Sequence, residues 1–262
     1  MGKKRALDVI AHSHLFEAIR NNDDVSLFDV FGANASIGTA ANETIWGVGG
    51  LYIEPTAATV LVIQSTSAED TTAGSGALTV QVIGVGQNYS AITEIVTLAG
   101  TATTALTLAS FRAVNRLVVL TSGPANINVG TLVASQQTSG PTLASVLPGE
   151  SVSHACIYTV PNGKAAIVFN LDVNTGRDGA GTNPLVTLSV YSKVRIAAAT
   201  TDFLVVKEII DTTVTTNYHL EYPFVTPQIA GTRIELVAGT DKANTQVSGR
   251  FILALYDATA LF

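Results

Sequence analysis

Residues 69 to 82, EDTTAGSGALTVQV, set two acids and a glycine cluster directly before an alternating apolar run. Three kinds of chemistry suit those residue types: a calcium loop, a phosphate cradle, or a bend between strands. Calcium needs several oxygen ligands close together, and Glu69 and Asp70 supply two carboxylates with the carbonyls of Thr71 and Thr72 beside them. Neighbouring residues of an extended chain point to opposite sides, so both acids reach one ion only if the loop bends. A phosphate cradle needs its glycines to open a helix, whereas LTVQV reads as a strand. The hairpin reading is favoured: Gly74 and Gly76 permit positive φ, and Asp70 can accept backbone hydrogen bonds.

The other candidates are weaker. DVNTGRDGAG, residues 172 to 181, breaks EF-hand spacing because Gly176 and Arg177 stand at the fifth and sixth positions and Asn183 at the last. It reads as a polar loop. GVGQNY, residues 84 to 89, lacks the final glycine of a dinucleotide fingerprint and any helix after it. His12 and His14 diverge by about 200° on a helix, and His154 and His219 lie in separate strand-rich regions with no companion cluster of Cys, Asp or Glu. Cys156 is the only cysteine, so no internal disulfide forms; its place in the alternating SHACIYTV predicts a buried, unreactive thiol. No GxSxG elbow or cysteine-rich spacing occurs. Paired glycosidase carboxylates need not be close in sequence, which leaves glycan cleavage as a third and weakest class of function. The expectation is a non-enzyme with no cofactor and no metal.

Composition narrows the partners. The 262 residues suffice for one large or two smaller β domains, and only 13% are charged, against about 25% in a typical soluble protein. Such a surface suits a chain that presents much of itself to neighbouring subunits. Residues 21 to 111 contain no Lys or Arg and the net charge is −6, which argues against nucleic acid as a partner. The basic cluster Lys3, Lys4 and Arg5 is a candidate electrostatic contact with a partner. Asp8 and His12 interrupt the apolar region that a signal peptide would need, and no apolar run reaches the roughly 18 residues of a membrane helix.

The elements that must position these residues are almost all strands. Residues 5 to 20 carry a helical stripe (Leu7, Ile10, Ala11, Leu15, Ala18, Ile19), ended by NNDD, and predict one short helix. From residue 25 to 52 no period is sustained, which predicts an extended arm. Residues 59 to 65, 77 to 83, 92 to 98 and 116 to 121 are short, β-branched and bounded by turn residues. Alternation recurs in Ile167, Phe169, Leu171 and Val173, then in Val186, Leu188 and Val190, Ile234 and Leu236, and Phe251, Leu253 and Leu255. The predicted fold is all-β: an N-terminal arm with one short helix over 1–55, an antiparallel β domain over 56–148, and a jelly-roll-like β-sandwich over 149–262. A single continuous sandwich is the alternative.

Trp46 lies among Gly47, Gly49, Gly50 and Tyr52, just before the first of these strands. It reads either as an anchor holding the arm on the first β domain or as an anchor in a partner's pocket. IWGVGGLY (45–52), the stretch from 65 to 84, EIVTLAG (94–100), FRAVNR (111–116) and NVG (128–130) together resemble virion structural proteins of tailed bacteriophages. The matching residues are Asp70, Thr71, Gly74, Gly76, Ala77, Gly84, Glu94, Leu98, Gly100, Arg112 and Arg116; the pattern departs at residues 86 to 88. The resemblance implies a capsid decoration or cement protein, a homotrimer bound to the major capsid protein or another virion protein. Lys3, Lys4, Arg5 and Trp46 are then the partner contacts, and the virion is the location, with no membrane involved. The alternative is a tail fibre or spike that binds host-surface glycan.

Overall fold

The structure is a computed structural model that describes residues 25–137, 140–176, 181–196, 199–211, 216–221 and 227–258. Its described residues form sixteen strands and no α-helix. The fold expectation is corrected on this point. The helix expected over residues 5 to 20 lies outside the described residues, and the segment after it is no arm. Residues expected to lie extended without regular structure form β1 (Ser26–Ile37), which pairs along its length with β16 (Thr245–Asp257). The reason is packing at long range: Val30 and Ile37 drop into the core while Asp29 on the other face meets Arg250 of β16 at 2.7 Å.

One core belongs to a jelly roll. Its first sheet runs β1-β16-β11-β14, with β11 at Lys164–Thr175 and β14 at Asn217–Glu221. Its second runs β10-β15-β12-β13, comprising Ile157–Thr159, Arg233–Thr240, Leu185–Ile196 and Ala199–Asp211, and the short β2 (Glu43–Thr44) also pairs with β15. If β2 and β10 share the second place, the sheets read 1-8-3-6 and 2-7-4-5 in chain order, which is jelly-roll winding. Val186, Leu188 and Val190, Ile234 and Leu236, and Phe251, Leu253 and Leu255 all face this core, as their alternation predicts. In β11 the alternation breaks. A bulge between Val168 and Asn170 makes Phe169 the extra residue, so Val168, Leu171 and Val173 face inward and Ile167 does not.

The second core belongs to a unit inserted within the second jelly-roll place, between β2 and β10. Strands β3 (Thr59–Ser65), β6 (Leu106–Phe111), β8 (Leu132–Gln136) and β9 (Thr142–Val146) form one sheet in the order β6-β3-β8-β9. The facing sheet runs β5-β4-β7, with β4 at Ala77–Val85, β5 at Ala91–Thr97 and β7 at Ala113–Ser122. β5 adjoins β6 and β7 adjoins β9, so the sandwich has two seams at its opposite edges. No ladder joins β5 to β6. Instead Glu94 of β5 accepts the N–H groups of Leu108 at 2.6 Å and Ala109 at 2.9 Å.

The chain crosses between the cores on a short stem. Trp46 bridges Ala155, and Cys156 donates its N–H to Ile45 O at 2.9 Å. Ile45 and Cys156 face the jelly-roll core, while Trp46 and Ile157 face the inserted core. One pleated layer therefore serves both, because successive side chains point to opposite faces. β1 lies directly across this stem: a Cβ on Gly32 would come within 2.4 Å of Ile45 O and 2.5 Å of Cys156 N. Deleting residues 25 to 50 is therefore expected to remove a jelly-roll strand and half of the stem. The truncated chain should lose its cooperative thermal transition by circular dichroism; a chain that melts like the full-length protein would contradict this.

Candidate functional site

The opening loop is a structural staple. Asp70 is fully buried: Oδ1 accepts from Ala77 N at 2.8 Å and Val129 N at 2.9 Å, and Oδ2 from Gly130 N at 2.8 Å and the Ser65 hydroxyl at 2.6 Å. Four donors surround the carboxylate, so it is satisfied by the protein and ties the start of β4 to residues 128 to 130. Glu69 is exposed and turns away, accepting from Ser75 N and the Ser75 hydroxyl. The bond from Ser75 N–H holds its carboxyl below the usual range. The loop is a bend but no hairpin, because the strands it joins, β3 and β4, lie in facing sheets and do not pair; Asp70 accepts backbone hydrogen bonds as expected, but the reason given for the glycines is wrong. Neither Gly74 nor Gly76 has positive φ. A Cβ at Gly74 would lie 2.0 Å from Glu69 O, and at Gly76 2.2 Å from Asp70 Oδ1, so close approach requires them.

The remaining candidates fall into place around the two cores. Cys156 is buried with Sγ 3.0 Å from Gly249 O, and burial raises its thiol pKa. Trp46 is only 3% exposed; its Nε1–H lies 3.1 Å from both Gly49 O and Gly50 O, and its ring meets Tyr52 edge-on. It packs within this chain, in the inserted core. Lys3, Lys4, Arg5, His12 and His14 lie outside the described residues. So do residues 177 to 180 of the 172–181 loop. Among the described residues no three His, Cys, Asp or Glu side chains gather as a metal centre.

Asp172 and His219 face each other across β11 and β14, Oδ1 to Nδ1 at 2.6 Å. Such a pair orients an imidazole, as in a hydrolytic triad. Here Nε2 looks toward Glu221 Oε1, 3.9 Å away, rather than a hydroxyl or thiol. The bond from Asp172 raises the His219 pKa.

The charged site that sequence reading missed lies where the inserted unit meets the outer face of the jelly roll. Glu54 pairs with Arg112 at 3.0 Å and with Arg233 of β15 at 3.0 Å. Arg233 also meets Glu235 at 3.2 Å, and Lys193 of β12 reaches the same carboxylate at 2.9 Å. Thr44 donates its hydroxyl to Glu235 at 2.5 Å. All five charged side chains are largely or fully withdrawn from solvent. Tyr89 stacks on Arg112 at 5.2 Å and Tyr52 on Arg233 at 4.9 Å, closing the faces of both guanidinium groups. Tyr89 belongs to GVGQNY, so that loop seats the inserted unit rather than a phosphate; its carbonyl accepts from Asn162 N at 2.7 Å. The cluster is made of mutually paired charges and contains no nucleophile, so what it does is hold position. The five residues span 54 to 235 in sequence, and no local spacing announces them.

No family model matches this chain, and no curated protein matches it. Among solved structures, similarity is to infectious bursal disease virus. Its derived T=1 particles match at 12% identity, covering 89% of this chain and 70% of that one, with a TM-score of 0.19. The Gx strain matches at 12%, covering 90% and 76%, TM-score 0.22, and the VP2 subviral particle at 12%, covering 89% and 72%, TM-score 0.21. Superpositions at these TM-scores do not establish a shared fold. The resemblance to tailed-bacteriophage decoration proteins does not stand: no family model and no curated protein carries it, and the structures named above belong to a virus that is neither tailed nor a phage. The physical reason is visible in the loop. Its Asp-Thr and Gly-x-Gly-Ala pattern marks a buried carboxylate and two close backbone approaches, and many β-sandwich corners can meet that requirement without common descent.

The staple and the histidine pair are each open to test. Asp70→Ala is expected to strand three backbone N–H groups and cost about 3–5 kcal/mol, while EDTA leaves the melting temperature of the unaltered protein unchanged. A metal-dependent melt would contradict the staple. In an NMR pH titration His219 should titrate above its ordinary value, and Asp172→Asn should lower it, with Glu221 still raising it. Because the folded pKa is raised, any stability from this exposed pair is present below the unfolded pKa and fades as pH rises through the folded one.

Proposed function

We propose that this chain is a structural subunit of a virus particle, a homo-oligomer that stabilises an assembled shell by burying its own surface and performs no bond chemistry. The supporting observation is a jelly roll whose interior is filled with aliphatic side chains and whose outer face carries a rigidly seated, sparsely charged β unit. Jelly rolls serve as capsid subunits, lectins and cupins, and fold alone does not choose among them. A cupin places its chemistry inside the barrel, where this chain has Leu171, Leu188, Leu236, Phe251 and Leu253. A shell subunit needs the reverse: an inert interior and an exterior free of charges that would be costly to desolvate. Three copies is the number we propose, with a major shell protein or another particle protein as partner. Mass action then favours the assembled state over free subunits.

One observation favours glycan recognition as a second reading. An open groove of about 570 Å³ on the outer sheet face presents Thr187, Ser189, Tyr191 and Asp241 along its floor and end. Asp241 is held there by Leu185 N–H, which it accepts at 2.8 Å. An aromatic face beside hydroxyls and a carboxylate suits a saccharide.

The deciding experiment is electron microscopy and mass spectrometry of particles purified from a culture that produces this chain. The expected result is density for the jelly roll and its inserted unit at regular shell positions, in fixed ratio to the shell protein. Finding the chain only in the particle-free fraction would overturn the structural reading.

A further inference from the structure

The inserted unit does not close flush on the jelly roll. Where its smaller sheet lies against the jelly-roll edge, a space of about 180 Å³ remains between them. Topology explains the position: β1 and β10 are the edge strands of the two jelly-roll sheets, so the core is reached through the seam between them. Phe28 of β1 and Tyr158 of β10 meet across that seam with ring centroids 5.7 Å apart, and Val30 and Leu255 of the core also line the space. From the other side comes one rung of the inserted unit. Ile83 of β4 sits opposite Thr93 of β5 and Arg116 of β7, and opposed residues share a face. Val82 faces the inserted core, so this rung faces the jelly roll. Asn115 fixes the separation: its Nδ2 donates to Thr159 O at 2.9 Å and its Oδ1 accepts from Thr159 N at 2.8 Å, tying β7 to β10.

Two polar groups in this apolar space lack acceptors. Arg112, Arg233, Arg250, Lys164 and Lys193 each meet a carboxylate. Arg116 is half-buried and among the described residues meets none. It donates to Asp29 O and lies over the Phe31 ring, while the Asp29 carboxylate is taken up by Arg250. Tyr158 is 5% exposed, and among the described residues its hydroxyl has no hydrogen-bond partner. Burial raises the Tyr158 pKa and the Arg116 charge opposes the rise, so the hydroxyl stays a neutral donor within reach of that charge.

We propose that this space binds a small apolar monocarboxylate, with its hydrocarbon body among Phe28, Ile83, Ile92 and Leu255 and its carboxylate accepting from Arg116 and the Tyr158 hydroxyl. A carboxylate offers two acceptor oxygens and no donor, which suits a guanidinium and a hydroxyl that both donate. Its single charge matches the single cation. A dry apolar cavity of about 150 Å³ holds benzene, so a body of about six to eight carbons fits the space here. Water fills it poorly, because it needs several polar partners and the walls are mostly aliphatic and aromatic. Both units supply walls, so the ligand binds only the docked arrangement and stabilises it by mass action.

Calorimetric titration and thermal melts of the full chain test the site, with octanoate as the probe and octanol as its uncharged control. Octanoate should raise the melting temperature and bind about tenfold or more tightly than octanol, the difference that a charged hydrogen bond supplies. Arg116→Gln should bring octanoate down to the level of octanol. Tyr158→Phe keeps the ring and should weaken octanoate while leaving octanol unchanged, which separates the hydroxyl's role from any loss of fold. Ala91 is exposed and lines the space, so Ala91→Trp should melt like the unaltered chain and abolish binding of both compounds. Absence of octanoate binding, equal binding of octanoate and octanol, or binding that survives Ala91→Trp would each overturn the proposal. None of these results depends on whether the chain is found in particles, so the function reading stands or falls separately.

Discussion

Glu54 sits between two guanidinium groups that belong to different cores, Arg112 of the inserted unit and Arg233 of the jelly roll. Its position is the constraint on which the arrangement of the two units depends. Withdrawing one ion from water costs several kcal/mol, and the pairing gained repays this only when geometry is good on every side. Here the partners close a network: Glu54 between two arginines, Arg233 between two carboxylates, Lys193 and the Thr44 hydroxyl on Glu235, and tyrosine rings over both guanidinium faces. Sliding or tilting one unit against the other would break several of these contacts at once and leave buried charge unpaired, at about 3–5 kcal/mol for each broken pair. Apolar packing alone tolerates small slips, because it has no direction. The charged junction supplies the direction, and the stem supplies the hinge line that the junction then locks.

This explains where the scarce charges are spent. A chain with 13% charged residues still buries five of them together. Charge at the junction fixes one orientation of the two units, while ion pairs such as Asp29–Arg250 and Lys164–Asp257 lie at the surface. Arg116 follows the same logic. It reaches back from β7 to donate to Asp29 O of β1 and lies over the Phe31 ring at 5.9 Å, adding a second tie between the units.

Much of the fold was legible in the sequence, and what was not shares one cause. Strands whose alternation runs unbroken, such as LTVQV in β4 and Phe251, Leu253 and Leu255 in β16, show their buried face in the residue order itself. β1 does not, because SLFDVFGANASI interposes Asp29, Gly32 and Asn34 between its apolar residues. Each has its reason in a partner outside the strand: Asp29 in Arg250, Gly32 in the stem backbone, and Asn34 in Glu43, nine residues on, which accepts its Nδ2–H at 3.0 Å. β11 misled for a different reason, since one extra residue at Phe169 moves the alternation to the other face midway. β9 lies inside a stretch rich in turn residues and gains its strand from pairing with β8. Asp70 was half legible. Its role as an acceptor of backbone hydrogen bonds follows from residue type, but the glycines beside it respond to contacts that exist only after folding. The charged junction was not legible at all, because Glu54 and its partners meet only through tertiary structure.

The closure of the β5–β6 seam bears on what kind of association such a unit can support. An open strand edge offers N–H and C=O groups in a row, and any other edge can extend it without limit. Glu94 prevents this by accepting two of the N–H groups that β6 would otherwise present, so the seam is sealed without a ladder. What remains exposed is side chains, whose packing is specific in shape and ends where the patch ends. The same is true across the molecule, where β7 is continued by Ser151 and Ser153 rather than left open: Val119 N donates to Ser151 O, and Ser153 N to Leu117 O. Both seams thus exclude strand addition while keeping apolar surface available. An unprotected β-sandwich edge would instead invite strand addition.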